Sequence, residues 1–142
     1  MKKKILGRPK KLKTANELWI HFEKYVEERP LRAKPKGVWD TKNSITANVM
    51  MEVPLTWLGF SSFLNTNKII GDINDYKTNK DGVYNNFSDI IKKIDTIIKT
   101  DMIEGATAGV YKENIIARML GLADKQENKV EQTITINFTD DE

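Results

Sequence analysis

The residues able to do chemistry are few and mostly of one kind. Lys2, Lys3, Lys4, Arg8, Lys10, Lys11 and Lys13 put seven positive charges into the first thirteen residues, with no acid among them. A cationic run of that density suits a polyanion, because it neutralises phosphates and releases their counterions. Groups that make and break bonds are scarce. The chain has no cysteine, hence no disulfide, no zinc-finger framework and no thiol nucleophile. His21 is the single histidine, which argues against a histidine metal site or a Ser-His-Asp triad. With no partner ligand in sight it reads as a surface or partly buried histidine. Carboxylates gather at Asp72 and Asp75 and at Asp140-Asp141-Glu142. Neither group comes with a histidine, a glycine-rich phosphate loop or a second acid at a catalytic spacing, so both read as solvated acids. The sequence gives no support for an enzyme, a metal or a cofactor.

The basic run contains Gly7-Arg8-Pro9-Lys10-Lys11, which resembles the core of an AT-hook. In that motif an arginine enters the narrow minor groove over A·T pairs. Leu6 stands where the motif carries its first arginine, so the match is partial. A solvated basic tail and a localisation signal are the other readings. Charge along the whole chain sharpens the choice. Residues 1–13 carry +7, residues 14–125 are neutral and residues 126–142 carry −4, which accounts for the net +3. A polyanion belongs at the first end. The acidic end should face away from it or meet a protein.

The elements that must position these charges follow from periodicity. Thr14–Arg29 predicts a helix: Thr14 and Glu17 fit a capping box, Leu18, Phe22, Tyr25 and Val26 share one face, and Pro30 ends it. Residues 31–53 hold two extended runs around Asp40–Ser44 and predict a β-hairpin. Pro35 suits an edge strand, and the Val49-Met50-Met51 run predicts that one end of the hairpin is covered. Pro54–Asn67 predicts a short helix capped by Thr56, with Leu58, Phe63 and Leu64 inward. Lys68–Asn79 predicts a second one through Ile69, Ile73 and Tyr76, weakened by Gly71. Together residues 56–79 look like a helix-turn-helix. Asn67, Lys68, Asn74 and Lys77 would then be its DNA-facing residues; a plain packing unit is the other reading. Residues 77–86 are a loop.

Ser88 is the expected cap of the longest helix, whose stripe is Ile90, Ile94, Ile97, Ile98 and Met102, broadened by Ile91 and Ile103. Gly105–Gly109 either admits a close neighbour or ends that helix. Residues 112–121 predict a further short helix with Ile115, Ile116, Met119 and Leu120 apolar and Gly121 just past its end. Finally, Val130, Gln132, Ile134, Ile136 and Phe138 alternate with polar residues, a strand with no partner nearby. The organisation expected is a basic flexible arm (1–13), a helical core with its hairpin (14–125), and a strand with an acidic tail (126–142). No apolar run approaches the roughly 20 residues of a membrane span. The lysine-rich start has no apolar stretch behind it, so it is no secretory signal and a cytosolic protein is expected.

Several of these segments together resemble the small terminase subunits of tailed double-stranded-DNA phages, in the subgroup from short-tailed phages. The resemblance runs from about residue 6 to residue 125. Its parts are "LGRPKKLKTANELWIHFEKYVEERP" with the hairpin after it, "PLTWLGFSSFLNTN" with "INDY", and the long helix followed by Gly109-x-Tyr111-x-x-Asn114-Ile115-Ile116-Ala117-Arg118-x-Leu120-Gly121-Leu122. The resemblance implies a mainly α protein with a helical, helix-turn-helix-like DNA-binding domain and an inserted hairpin. It implies a homo-oligomeric ring of about eight to twelve copies. It further implies recognition of viral double-stranded DNA at a packaging site, and recruitment and regulation of a large terminase subunit that carries the ATPase and nuclease. In similar proteins the C-terminal strands of all copies close into a barrel, so Val130, Ile134, Ile136 and Phe138 would be oligomerisation residues. The tail then leaves Asp140, Asp141 and Glu142 as contacts for the large subunit. Such a protein would work in the bacterial cytoplasm, absent from the mature virion. A dimeric helix-turn-helix transcription regulator and a scaffold protein without DNA binding are the alternatives.

Overall fold

The computed structural model describes residues 11–122. Five helices and one hairpin follow in the order α1 (Ala15–Glu27), β1 (Lys34–Asp40), β2 (Ile45–Met51), α2 (Trp57–Thr66), α3 (Asn74–Lys77), α4 (Ser88–Thr107) and α5 (Glu113–Met119). The expected strand at 130–138 and the acidic tail lie outside the described residues, as do residues 1–10 of the basic run.

α1 starts as its sequence dictates. The Thr14 hydroxyl accepts from the Glu17 amide at 3.2 Å, and the Glu17 carboxylate accepts from the Lys13 amide at 2.8 Å. Two donors left over at a helix start are thus satisfied, one of them a residue earlier than in the usual capping box. Pro30 is the second residue of a 3₁₀ turn, Arg29–Arg32, that leads into the hairpin. Leu18, Phe22 and Tyr25 are buried and Val26 packs beside them.

α4 is the central column, in contact with α1, α3 and α5. Its Ile94, Ile98, Met102 and Ala106 are buried, while Ile103 is exposed. Against it lies an aromatic layer in which Phe22 meets Phe60 edge-on at 5.2 Å, and Tyr76 meets Phe87 edge-on at 4.9 Å. Such pairs add about 1 kcal/mol each beyond the area they bury.

Four expectations are corrected. Ser88 is not a cap: it is the first residue of α4, φ −54° and ψ −46°, and no side chain caps that end. The cap position is held by Phe87, which is fully buried. Leu58 is 82% exposed. It lies two residues before Phe60, about 200° round the helix, and Phe60, Phe63 and Leu64 form the inward side instead. The second short helix shrinks to the single turn of α3. Lys68 adopts a left-handed conformation, φ 57°. Its amide donates to Asn65 O at 2.9 Å, and the Ile69 amide donates to Leu64 O at 2.9 Å. That pattern closes α2. Gly109 and Gly121 close α4 and α5 the same way, as the position of Gly121 anticipated. The hairpin, lastly, forms where expected, with Pro35 opposite Met50 and Val38 opposite Ala47. Its covered end is not there. Among strand residues only Asp40 and Met51 are half-buried, and Val49 and Met50 are exposed.

One polar cluster ties these parts together. Arg29 donates to both oxygens of Asp101 at 2.8 and 2.9 Å, and its Nε donates to Val53 O at 3.0 Å. Nε also pairs with Glu52 at 2.8 Å. Asp101 accepts further bonds from the Leu55 amide at 2.9 Å and the Tyr111 hydroxyl at 3.2 Å, and Arg29 donates to that hydroxyl too. Burial, then the Asp101 charge, pushes the Tyr111 hydroxyl up to about 12, so it stays a donor at any physiological pH. The ring of Tyr111 lies on Gly105, where an added Cβ would sit 2.1 Å from a ring carbon.

Two stability tests follow. Asp101→Ala should cost roughly 3 kcal/mol in a denaturant titration, because it strands a largely buried guanidinium and the Leu55 amide. Glu52→Ala, at the exposed side of the same cluster, should stay within about 1 kcal/mol. Gly105→Ala should destabilise in spite of alanine's helix preference of about 1 kcal/mol. Gly71→Ala, where a Cβ meets nothing within 4 Å, should be neutral. A stabilised Gly105→Ala variant would remove the Tyr111 packing argument.

Candidate nucleic-acid interface

The root of the basic run is fixed to the body. Leu12 is only 3% exposed, and its amide donates to the Tyr76 hydroxyl at 3.2 Å. Lys13 O accepts from the Asn86 side chain at 3.5 Å. The run expected to be free through residue 13 is therefore anchored from Leu12 onward. Lys11 and Lys13 remain exposed on either side of the anchor. Alternation explains this: the one apolar residue goes in and its two cationic neighbours stay in water. Leu12 was legible as the only apolar residue among Lys10, Lys11 and Lys13, but nothing local pointed to Tyr76, 64 residues away.

The same contact brings the run to α3, which carries Asn74 and Lys77. Asn74 is exposed, and its amide donates to the Asp72 carboxylate at 2.8 Å, a turn that starts α3. Lys77 is half-buried, its Nζ 4.4 Å above the Trp57 ring. The Trp57 indole in turn donates to Asp95 at 2.9 Å. Asn67 and Lys68 lie at the other end of α2, about 15 Å along that helix from Trp57. The Asn67 side-chain Nδ2 already donates to Phe63 O at 2.8 Å. Lys77 and the Asn67–Lys68 pair thus stand toward opposite ends of α2. Lys11 and Lys13 flank the residue bonded to Tyr76 of α3, the helix that also carries Asn74 and Lys77. Lys2, Lys3, Lys4, Arg8 and Lys10 lie outside the described residues, as do Val130, Ile134, Ile136, Phe138, Asp140, Asp141 and Glu142.

Among the described residues, no group of three His, Cys, Asp or Glu could hold a metal ion. No helix there is long and apolar enough to cross a membrane.

A family model described as DNA-packaging protein gp3 matches residues 7–128. The chain belongs to this family of phage DNA-packaging proteins. No curated protein matches the chain. The family match begins at Gly7, inside the basic run, and extends past α5. The anchored root, the hairpin and all five helices thus belong to the shared unit. Among the cationic stacks in it that sequence reasoning missed are Lys77 on Trp57, and Lys93 with its Nζ 3.8 Å from the centre of the Trp19 ring. Both join residues far apart in sequence, and no local pattern signals them.

His21 sits in this packaging protein as a half-buried group whose Nδ1 has no hydrogen-bond partner. Burial, then Lys24, lowers its pKa below 6.5, and Glu17 offsets only part of this. The unfolded chain therefore binds more protons than the native one in the window below 6.5. Its contribution to stability is present above that value and is lost as pH falls through the native pKa. His21→Gln should flatten the dependence of Tm on pH between about 7 and 5 relative to the parent. Parallel curves for the two proteins would remove this histidine as a source of acid sensitivity.

Proposed function

We propose that the protein is the small subunit of a phage terminase. It is a ring-forming, non-catalytic adaptor that binds viral double-stranded DNA at the packaging site and recruits and regulates the large ATPase-nuclease subunit. The observation that carries this reading is membership of the DNA-packaging family across residues 7–128. Charge supports it. The basic run leaves the body beside α3, and the acidic end lies at the far terminus of the chain. DNA contact falls to Lys2, Lys3, Lys4, Arg8, Lys10, Lys11 and Lys13, with Asn74 and Lys77 beside their root and Asn67 and Lys68 at the far end of α2. Seven charges on one copy give weak, sequence-blind binding, and a ring multiplies them by raising effective concentration. The strand at 130–138 closes the ring as an intersubunit barrel through Val130, Ile134, Ile136 and Phe138. Asp140, Asp141 and Glu142 face the large subunit. The site of action is the host cytoplasm. The single-turn α3 weighs against the alternative of a dimeric regulator reading the major groove through a recognition helix.

The test uses the full chain. Light scattering should give a mass many times 16.3 kDa, and a monomer or dimer would overturn the ring. Removing residues 1–10 keeps the Leu12 anchor and takes away five of the seven positive charges of the run. DNA affinity should drop, and the slope of log K against log salt should become shallower. An unchanged slope would place the phosphate contacts elsewhere.

A further inference from the structure

Among the described elements the hairpin leaves the most large apolar side chains in water. Val38, Trp39, Ile45, Val49 and Met50 are all exposed. A two-stranded ribbon alone is marginally stable in water, and a soluble surface rarely keeps such a cluster uncovered. The register sorts the ribbon into two faces. One carries Lys34, Lys36, Val38, Ala47, Ile45, Val49 and Met51, with Asp40 at the tip; the other carries Pro35, Trp39 and Met50 and no charge. With seven residues per strand, the ribbon reaches about 23 Å from its base.

Elsewhere on the body, α1 and α4 leave an open apolar groove of about 270 Å³ between Trp19, Phe22, Val26 and Ile97, rimmed by Glu23 and Glu27. The groove and the lysine-bearing face of the hairpin match in character: aliphatic residues with two lysines at the base and one acid, Asp40, at the tip meet an apolar floor rimmed by two acids, with the Lys93 ammonium on the Trp19 ring at its edge. A chain's own hairpin does not fill its groove, because its strands are exposed.

We propose that the hairpin of one copy docks, lysine-bearing face down, into the α1–α4 groove of the next copy. Val38, Ile45 and Val49 cover the floor, and Lys34 and Lys36 face Glu23 and Glu27. Two different patches of one chain meet in this contact. It is therefore head-to-tail, the kind that closes into a ring when the rotation per copy allows. The inference rests on the ring reading above and names a surface that builds the ring.

The absence of cysteine permits a direct test in the full chain. Glu23→Cys and Ala47→Cys variants, co-expressed and oxidised, should give a disulfide-linked pair of about 33 kDa on a non-reducing gel. Ala47 lies opposite Val38, on the docking face. Neither variant alone should give that band. Separately, Glu23→Lys with Glu27→Lys should lower the mass seen by light scattering, and adding Lys34→Glu with Lys36→Glu should restore it. Restoration is not something a misfolded variant would show. A parent chain of ring mass with no cross-link and no effect of charge reversal overturns the hairpin contact and leaves the ring reading standing. A monomeric parent overturns the ring reading itself. Variants that keep full mass but lose DNA binding would make the hairpin a DNA-reading ribbon and would likewise overturn the contact.

Discussion

The fold turns on the Arg29–Asp101 ion pair. Both side chains are largely removed from water, 15% and 18% exposed, so each needs the other and a full set of hydrogen bonds. The structure supplies them from four places: the exit of α1, the base of the hairpin, the start of α2, and the turn after α4. Apolar packing alone would hold α1 against α4 but would not fix the angle at which the chain leaves α1. Contacts among aliphatic and aromatic side chains are non-directional, whereas the planar guanidinium accepts only a few geometries. The direction of the hairpin is therefore a polar decision made at its base.

This separates two kinds of stability within one small domain. The aromatic layer of Phe22, Tyr25, Phe60 and Phe87 is closed to solvent and needs nothing from outside. The hairpin is rigidly rooted but unpacked along its length, and the outer side of α5 exposes Ile115 and Met119. A chain that invested apolar residues there without covering them would be penalised in solubility. Such surfaces make physical sense on a subunit of an assembly, where a neighbour removes them from water.

How far the sequence foretold this depends on the range of each interaction. Thr14, Thr56 and Gly121 act within a few residues, and their roles could be read directly from spacing. The stripe on α4 was equally plain, because one turn repeats another. Lys68 was misread because its left-handed backbone is normally a glycine's task. A lysine there signals nothing, so α2 appeared to lead into a second full helix. Leu58 was misread because the choice among three apolar faces of α2 is made by Tyr25 and Phe22 on another helix. Nor was the central ion pair visible, since its partners are 72 residues apart and each alone looks like a surface charge. The family, in contrast, was legible from the Gly109–Leu122 run and the order of elements around it.

Leu12 changes the physics of the basic segment. A tail free through residue 13 would leave the body at a point set only by the first turn of α1. With Leu12 buried and its amide on Tyr76, the exit point is shared between α1 and α3, and Lys11 and Lys13 are held there. The ordering entropy of the backbone at these two lysines is then met by folding and not by any ligand they would bind. In the proposed complex they would be a fixed first contact for DNA. In a proposed ring every copy would present that contact at the same radius and height. A polyanion crossing one copy would then meet the next at a spacing set by the ring and not by chance. Affinity gained in this way depends on geometry more than on the number of lysines. In the proposed ring, a weak sequence-blind arm on a well-placed root would therefore hold DNA where a longer free arm of the same charge would not.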